Sequence, residues 1–215
     1  MKKIIASAAA VIITAGLCGC SGNTSIQSAV ITEEQDGSVV SAAGLEITLP
    51  QDWQISAGDD VYIRLFEGGE SGYENADELK KSYEDIGLTY LVYAVNPEQT
   101  AMVSLTSMKI TPDEGGERLT AEEFARSTHD TGVISYQSGG LKISDSSFSE
   151  ESLGGKSGFM SRYKVFTNED DSQLLMGQSE FIFEQDGCFI SLQTYYQTEQ
   201  AGLQTDEILA GVTGA

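Results

Sequence analysis

Histidine occurs once in this chain of 215 residues, cysteine and proline three times each, and 12 basic side chains stand against 33 acidic ones. Each scarcity excludes something. A zinc site draws on several His and Cys ligands, and the single His129 with so few thiols is a poor supply. Three cysteines leave an odd thiol in any pairing, which argues against a disulfide framework. The formal net charge of −21 makes a surface that repels phosphate backbones, so nucleic-acid binding is set aside. The uncharged, mostly apolar run over residues 4–17 is shorter than the roughly 20 residues that a spanning helix needs.

That run sits behind Lys2 and Lys3 and in front of Leu17-Cys18-Gly19-Cys20, the layout of a secretory signal with a small residue at its cleavage point. The four residues resemble the lipobox of bacterial lipoproteins. The resemblance implies a signal peptide over 1–19 and a diacylglyceryl thioether on Cys20, with palmitate as a typical acyl group. The chain would then be held on a bacterial membrane and face away from the cytoplasm. Loss of 1–19 leaves ten basic and 33 acidic side chains, a formal charge of −23. Anionic headgroups repel such a domain, so the lipid and not a basic patch must hold it at the membrane.

Residues 20–43 are rich in Ser, Gly, Ala, Thr and Gln, too polar to order themselves, and are expected to form a lipidated N-terminus and flexible tether with at most a short strand at 38–40. The folded domain is expected over 44–215. Leu45, Ile47 and Leu49 alternate with polar neighbours up to Pro50, the mark of a half-buried strand. Residues 61–66 read as a second strand ending at Gly68-Gly69. Asn75 with Glu78 and Thr120 with Glu123 form capping boxes that start helices over about 76–86 and from 121 to near Gly132. Strands follow from the Tyr, Val and Leu content of 88–95 and 101–110. The C-terminal part reads as hairpins over 141–149, 158–166, 174–183 and 189–196, with turns at Gly154-Gly155, at 168–171 and at Asp186-Gly187. Both parities are apolar around the last turn, so both faces of the sheet need cover. The two helices and a short third one at 204–210 would supply it. The fold class is α+β: a mostly antiparallel sheet covered by helices on both faces.

The stretch Gly-Leu-Glu-Ile-Thr-Leu-Pro-Gln-Asp-Trp, from Gly44 through Pro50 to Trp53, resembles the opening of PsbP-like and DcrB-like domains, in which a strand ends in proline and a tryptophan follows. Leu153-Gly154-Gly155-Lys156 before a strand, the long hairpins and the terminal helix fit the same order. The resemblance implies an α/β/α sandwich of the kind exported or lipid-anchored in bacteria, with assembly and partner-binding roles. It carries over no catalytic residue.

The residues themselves offer little chemistry. No G-x-S-x-G elbow occurs around Ser157. Gly155-Lys156-Ser157 lacks the leading glycine of a phosphate-binding loop, because Glu150 stands there. None of the acid clusters Asp59-Asp60, Asp113-Glu114, Glu150-Glu151 and 169–171 makes a twelve-residue calcium loop; in the one that would start at Asn168, Gln173 fills the glycine place and Ser179 the final glutamate place. His129 is expected near a helix C-terminus, partly exposed. Trp53, Tyr90, Tyr93, Tyr195 and Tyr196 are expected to pack, and Cys188 to behave as a small buried hydrophobe. No metal, cofactor or catalytic residue is expected. The sequence thus points to a non-enzymatic module that binds or assembles with an envelope protein or component. A small-molecule or ion-binding lipoprotein beside a transporter is the first alternative, and an envelope hydrolase using His129 the second.

Overall fold

The computed structural model describes residues 29–34, 37–69, 72–110, 118–167 and 173–215. The expected signal peptide, Cys20, the start of the tether, Asp113-Glu114 and the turn at 168–171 lie outside the described residues.

The described residues open on a small antiparallel sheet made of β1 (Val30–Glu34), β2 (Gly37–Ala42) and β3 (Leu45–Leu49), to which β11 (Thr213–Gly214) adds as the far edge. Ala43 and Gly44 join β2 to β3 with positive φ at both positions, the geometry of a two-residue hairpin. This corrects the expected tether: residues 37–42 belong to the fold, and Val40 is fully buried. Taken alone, the segment has too few apolar residues to order. Pairing with β3 lets Val40 and Ala42 share the core with Leu45, Ile47 and Leu49.

A second sheet holds β4 (Gln54–Ala57), β5 (Leu88–Val95), β6 (Ala101–Lys109), β7 (Lys142–Leu153), β8 (Lys156–Phe166), β9 (Leu174–Gln185) and β10 (Cys188–Tyr196). Its order is β4-β5-β6-β10-β9-β8-β7, and every pair is antiparallel. The hairpins close at Gly154-Gly155 and Asp186-Gly187, again with positive φ at both turn residues. On one face, Phe181, Phe183, Ile190, Leu192, Val103 and Leu105 pack against the small sheet and helix α4 (Glu199–Ala210). Full burial of side chains this size contributes about 1.5–3 kcal/mol each, so this layer holds the two sheets together.

Helices α1 (Asp59–Glu67), α2 (Ala76–Asp85) and α3 (Ala121–Ser138) cover the other face. The expected strand at 61–66 is in fact α1. Val61, Tyr62 and Leu65 are its buried positions, which is helical and not alternating spacing. Asp59 and Asp60 in its first turn favour the helix dipole. Helices α1 and α2 lie over β5, where Tyr62, Tyr83 and Tyr90 meet edge-on or tilted. Helix α3 lies over β7, β8 and β9. It continues six residues past Gly132 to a C-cap at Gly139, because Gly132 serves close packing on Tyr163 and does not end the helix.

Candidate functional site

Helix α3 owes its start to a full capping box. Thr120 Oγ1 accepts from the Glu123 N–H at 3.2 Å, and Glu123 Oε2 accepts from the Thr120 N–H at 2.9 Å. At Asn75 the box is half-made: Asn75 Oδ1 accepts from the Glu78 N–H, while the Glu78 carboxylate takes the Glu74 N–H instead. With α3 running to Ser138, His129 stands mid-helix and faces the sheet, which corrects its expected place near a C-terminus.

Ring contacts hold the imidazole. Phe148 and Tyr163 flank it, each with ring centroids 5.9 Å away, and the Arg126 guanidinium lies 4.4 Å above Phe148. His129 Nδ1 is 2.7 Å from Ser161 Oγ, and Nε2 is 3.2 Å from Ser146 Oγ. Ser161 is 1% exposed, whereas Ser146 is open to solvent. Burial pushes the His129 pKa below the ordinary value, with Asp130 opposing and Arg126 adding to the shift. The ring is therefore largely neutral at pH 7.

Ser146 reaches the ring because β7 carries a bulge. Ser144 pairs with Lys164 and Ser147 with Arg162, so three steps on β7 match two on β8. Asp145 absorbs the extra residue at φ 53, a left-handed conformation that aspartate tolerates better than most residues. Bulges re-aim side chains and strengthen local twist. Here the effect is a solvent-facing hydroxyl beside a neutral imidazole whose other nitrogen is anchored in the core.

A second polar group lies deeper on the same face. Glu180, 3% exposed, pairs across β8–β9 with Ser161. Its Oε1 accepts from Ser191 Oγ at 2.6 Å and Gln193 Nε2 at 2.8 Å, and Gln178, which accepts from the Tyr163 hydroxyl at 2.6 Å, reaches Oε2 at 3.4 Å. These donors are neutral. Burial raises the Glu180 pKa, and the two bonds to Oε1 only partly offset it. Burial likewise raises the phenols of Tyr163, Tyr136 and Tyr195.

The other residues singled out in the sequence are scattered. Trp53 and Cys188 are buried in the layer between the sheets, and Tyr196 packs against it. Tyr90 and Tyr93 lie under α1 and α2, and Tyr195 lies beside Tyr163 and Met176. Asp59 bonds Lys80 at 2.7 Å, and Glu151 bonds Arg162 at 2.7 Å, which holds the Glu151 carboxyl below its usual range. Among the described residues, no group of three or more His, Cys, Asp or Glu is placed to hold a metal, and no helix is long and apolar enough to cross a membrane. Ser146 and Ser161 escaped sequence reasoning. Their only signal was Asp145 inside a serine-rich strand, a residue suited to a left-handed break.

No protein-family model and no curated protein matches the chain in sequence. Solved structures do resemble it. The cyanobacterial PsbP (CyanoP) of Synechocystis is similar at 13% identity over 92% of this chain and 98% of its own, with a TM-score of 0.45. LpqN of Mycobacterium tuberculosis, described as involved in cell envelope biogenesis, is similar at 12% identity over 86% of this chain and 90% of its own, with a TM-score of 0.41. A protein of Bacteroides thetaiotaomicron is similar at 13% identity over 80% of this chain and 46% of its own, with a TM-score of 0.37.

Proposed function

We propose that the protein is a lipid-anchored, extracytoplasmic module that binds or assembles with an envelope protein through the free edge of β1, Cys20 carrying the anchor. The observation that carries this reading is the position of β1. Among the described residues it is the outermost strand of the small sheet, and all five of its residues are exposed, including the apolar Val30 and Ile31. An open strand edge is a template for pairing with a strand from another chain. Val30 lies ten residues after Cys20, and ten extended residues reach about 35 Å at most. An anchored Cys20 would therefore keep this edge close to the bilayer.

Glu33 and Glu34 on β1, within a chain of such negative charge, select a partner strand with Lys or Arg and disfavour a second copy. A photo-crosslinking residue at Thr32, used on intact cells, tests the reading. The expected result is one crosslinked envelope protein whose recovery falls when Glu33 and Glu34 are both changed to Lys. Crosslinks spread over many proteins, or one partner indifferent to the charge reversal, would contradict it.

A further inference from the structure

We infer that Ser146 is an acyl-acceptor hydroxyl, activated by His129 and positioned by Ser161, that takes an acyl group from a small reactive carboxylic ester. This goes beyond the docking role and stands independently of β1 and the anchor.

The arrangement meets the geometric requirements of an activated nucleophile: a hydroxyl within reach of a base, and a third group that orients the base. The third group is usually a carboxylate. Here it is Ser161 Oγ, 2.7 Å from Nδ1 and buried, so the bond is shielded from water. With the proton on Nδ1 donated to Ser161, Nε2 turns its lone pair toward Ser146 Oγ at 3.2 Å. The imidazole is held on both sides by rings and its helix is locked against β8 by Gly132, so the orientation does not depend on solvent. Ser146 is exposed and sits on a left-handed bulge, where an incoming carbonyl has access.

In the step itself, Ser146 Oγ attacks the carbonyl carbon as its proton passes to His129 Nε2. The tetrahedral adduct collapses with breakage of the ester C–O bond, and the leaving alkoxide takes the proton from the imidazolium. The products are acyl-Ser146 and an alcohol, with the base returned to its neutral state. No oxidant, metal or further reactant is consumed. A serine in the orienting position stabilises the transient imidazolium less than a carboxylate would, so the reaction is expected to be slow and to end at the acyl-serine.

The test uses the full chain with p-nitrophenyl acetate and reads the modified residue by peptide mass spectrometry. Acetylation is expected at Ser146 ahead of other exposed serines such as Ser135 and Ser152, and to be lost in Ser146→Ala. A positioned base contributes about 10²–10⁴ in rate, so His129→Gln should slow labelling at least about a hundred-fold. Ser161→Ala should slow it less. Because His129 is the only imidazole in the chain, its nitrogen NMR signals report the tautomer of the unaltered protein without ambiguity. A proton on Nδ1 is expected, and Ser161→Ala should redistribute it. Labelling of Ser146 no faster than of the other serines, an unchanged rate in folded His129→Gln, or a proton resident on Nε2 would each overturn the proposal.

Discussion

The Tyr163 hydroxyl occupies the place that a Cβ on residue 132 would need: a methyl built on Gly132 would lie 2.7 Å from that oxygen. Helix α3 comes close enough to β8 for His129 to reach Ser161 only because residue 132 has no side chain. The phenol cannot swing away freely, since it donates to Gln178 within a buried network.

Gly132→Ala should therefore destabilise the protein. Overpacking a filled site costs about 1–3 kcal/mol, against about 1 kcal/mol of helix propensity gained by alanine. Thermal unfolding should show a lower midpoint, and the His129 signals should shift as α3 lifts. An unchanged midpoint would mean that Tyr163 relocates without loss.

The pH dependence of stability should carry the signature of Glu180. Its folded pKa is raised by burial, so the unfolded chain gives up this proton at lower pH than the folded one. The contribution is fully present below the ordinary glutamate value of about 4.3 and is lost as pH rises through the folded pKa. Glu180→Gln removes that loss, so urea unfolding should find the variant gaining on the wild type as pH rises above about 4.3. A difference between the two proteins that does not change with pH would contradict the assignment.

Among the described residues, the buried Thr194 hydroxyl has no hydrogen-bond partner. An unsatisfied buried polar group costs about 1–3 kcal/mol, and an apolar group of the same shape removes the cost. Thr194→Val should stabilise the protein by roughly 1 kcal/mol, read as a shift in denaturation midpoint without a change in slope.

The strands of the C-terminal half were legible because their turns are local chemistry: Gly154-Gly155 and Asp186-Gly187 tolerate positive φ wherever they occur. The capping residues Asn75 and Thr120 were legible for the same reason. What failed depended on partners remote in sequence. Residues 37–42 order only because β3 covers them. Residues 61–66 are helical because Val61, Tyr62 and Leu65 together fill the space beside α2 and β5. Gly132 looked like a helix stop because its reason for being glycine is Tyr163, thirty-one residues further on. The Ser146–His129–Ser161 contacts join three elements, and apart from Asp145 beside Ser146 neither hydroxyl has a distinguishing neighbour in the linear sequence.

The position of β2 also moves the boundary at which proteolysis should act. Brief digestion is expected to yield a domain that starts before Gly37 and not near Gly44, since cutting between β2 and β3 would strip Val40 and Ala42 from the core. N-terminal sequencing of the stable fragment reads this directly. A stable domain starting at Gly44 would show that the β1–β2 hairpin is dispensable.

The proposed anchor, a lipid on Cys20 that would hold this acidic domain at the outside of a membrane, is tested by metabolic labelling with an alkynyl palmitate in bacteria that make the chain. The wild-type chain should take up the label, sediment with membranes and be reached by protease added to intact or outer-membrane-permeabilised cells, and Cys20→Ala should remain unlabelled and keep the residues ahead of it. Continued labelling of Cys20→Ala, or an unlabelled wild-type chain, would rule out Cys20 as the anchor.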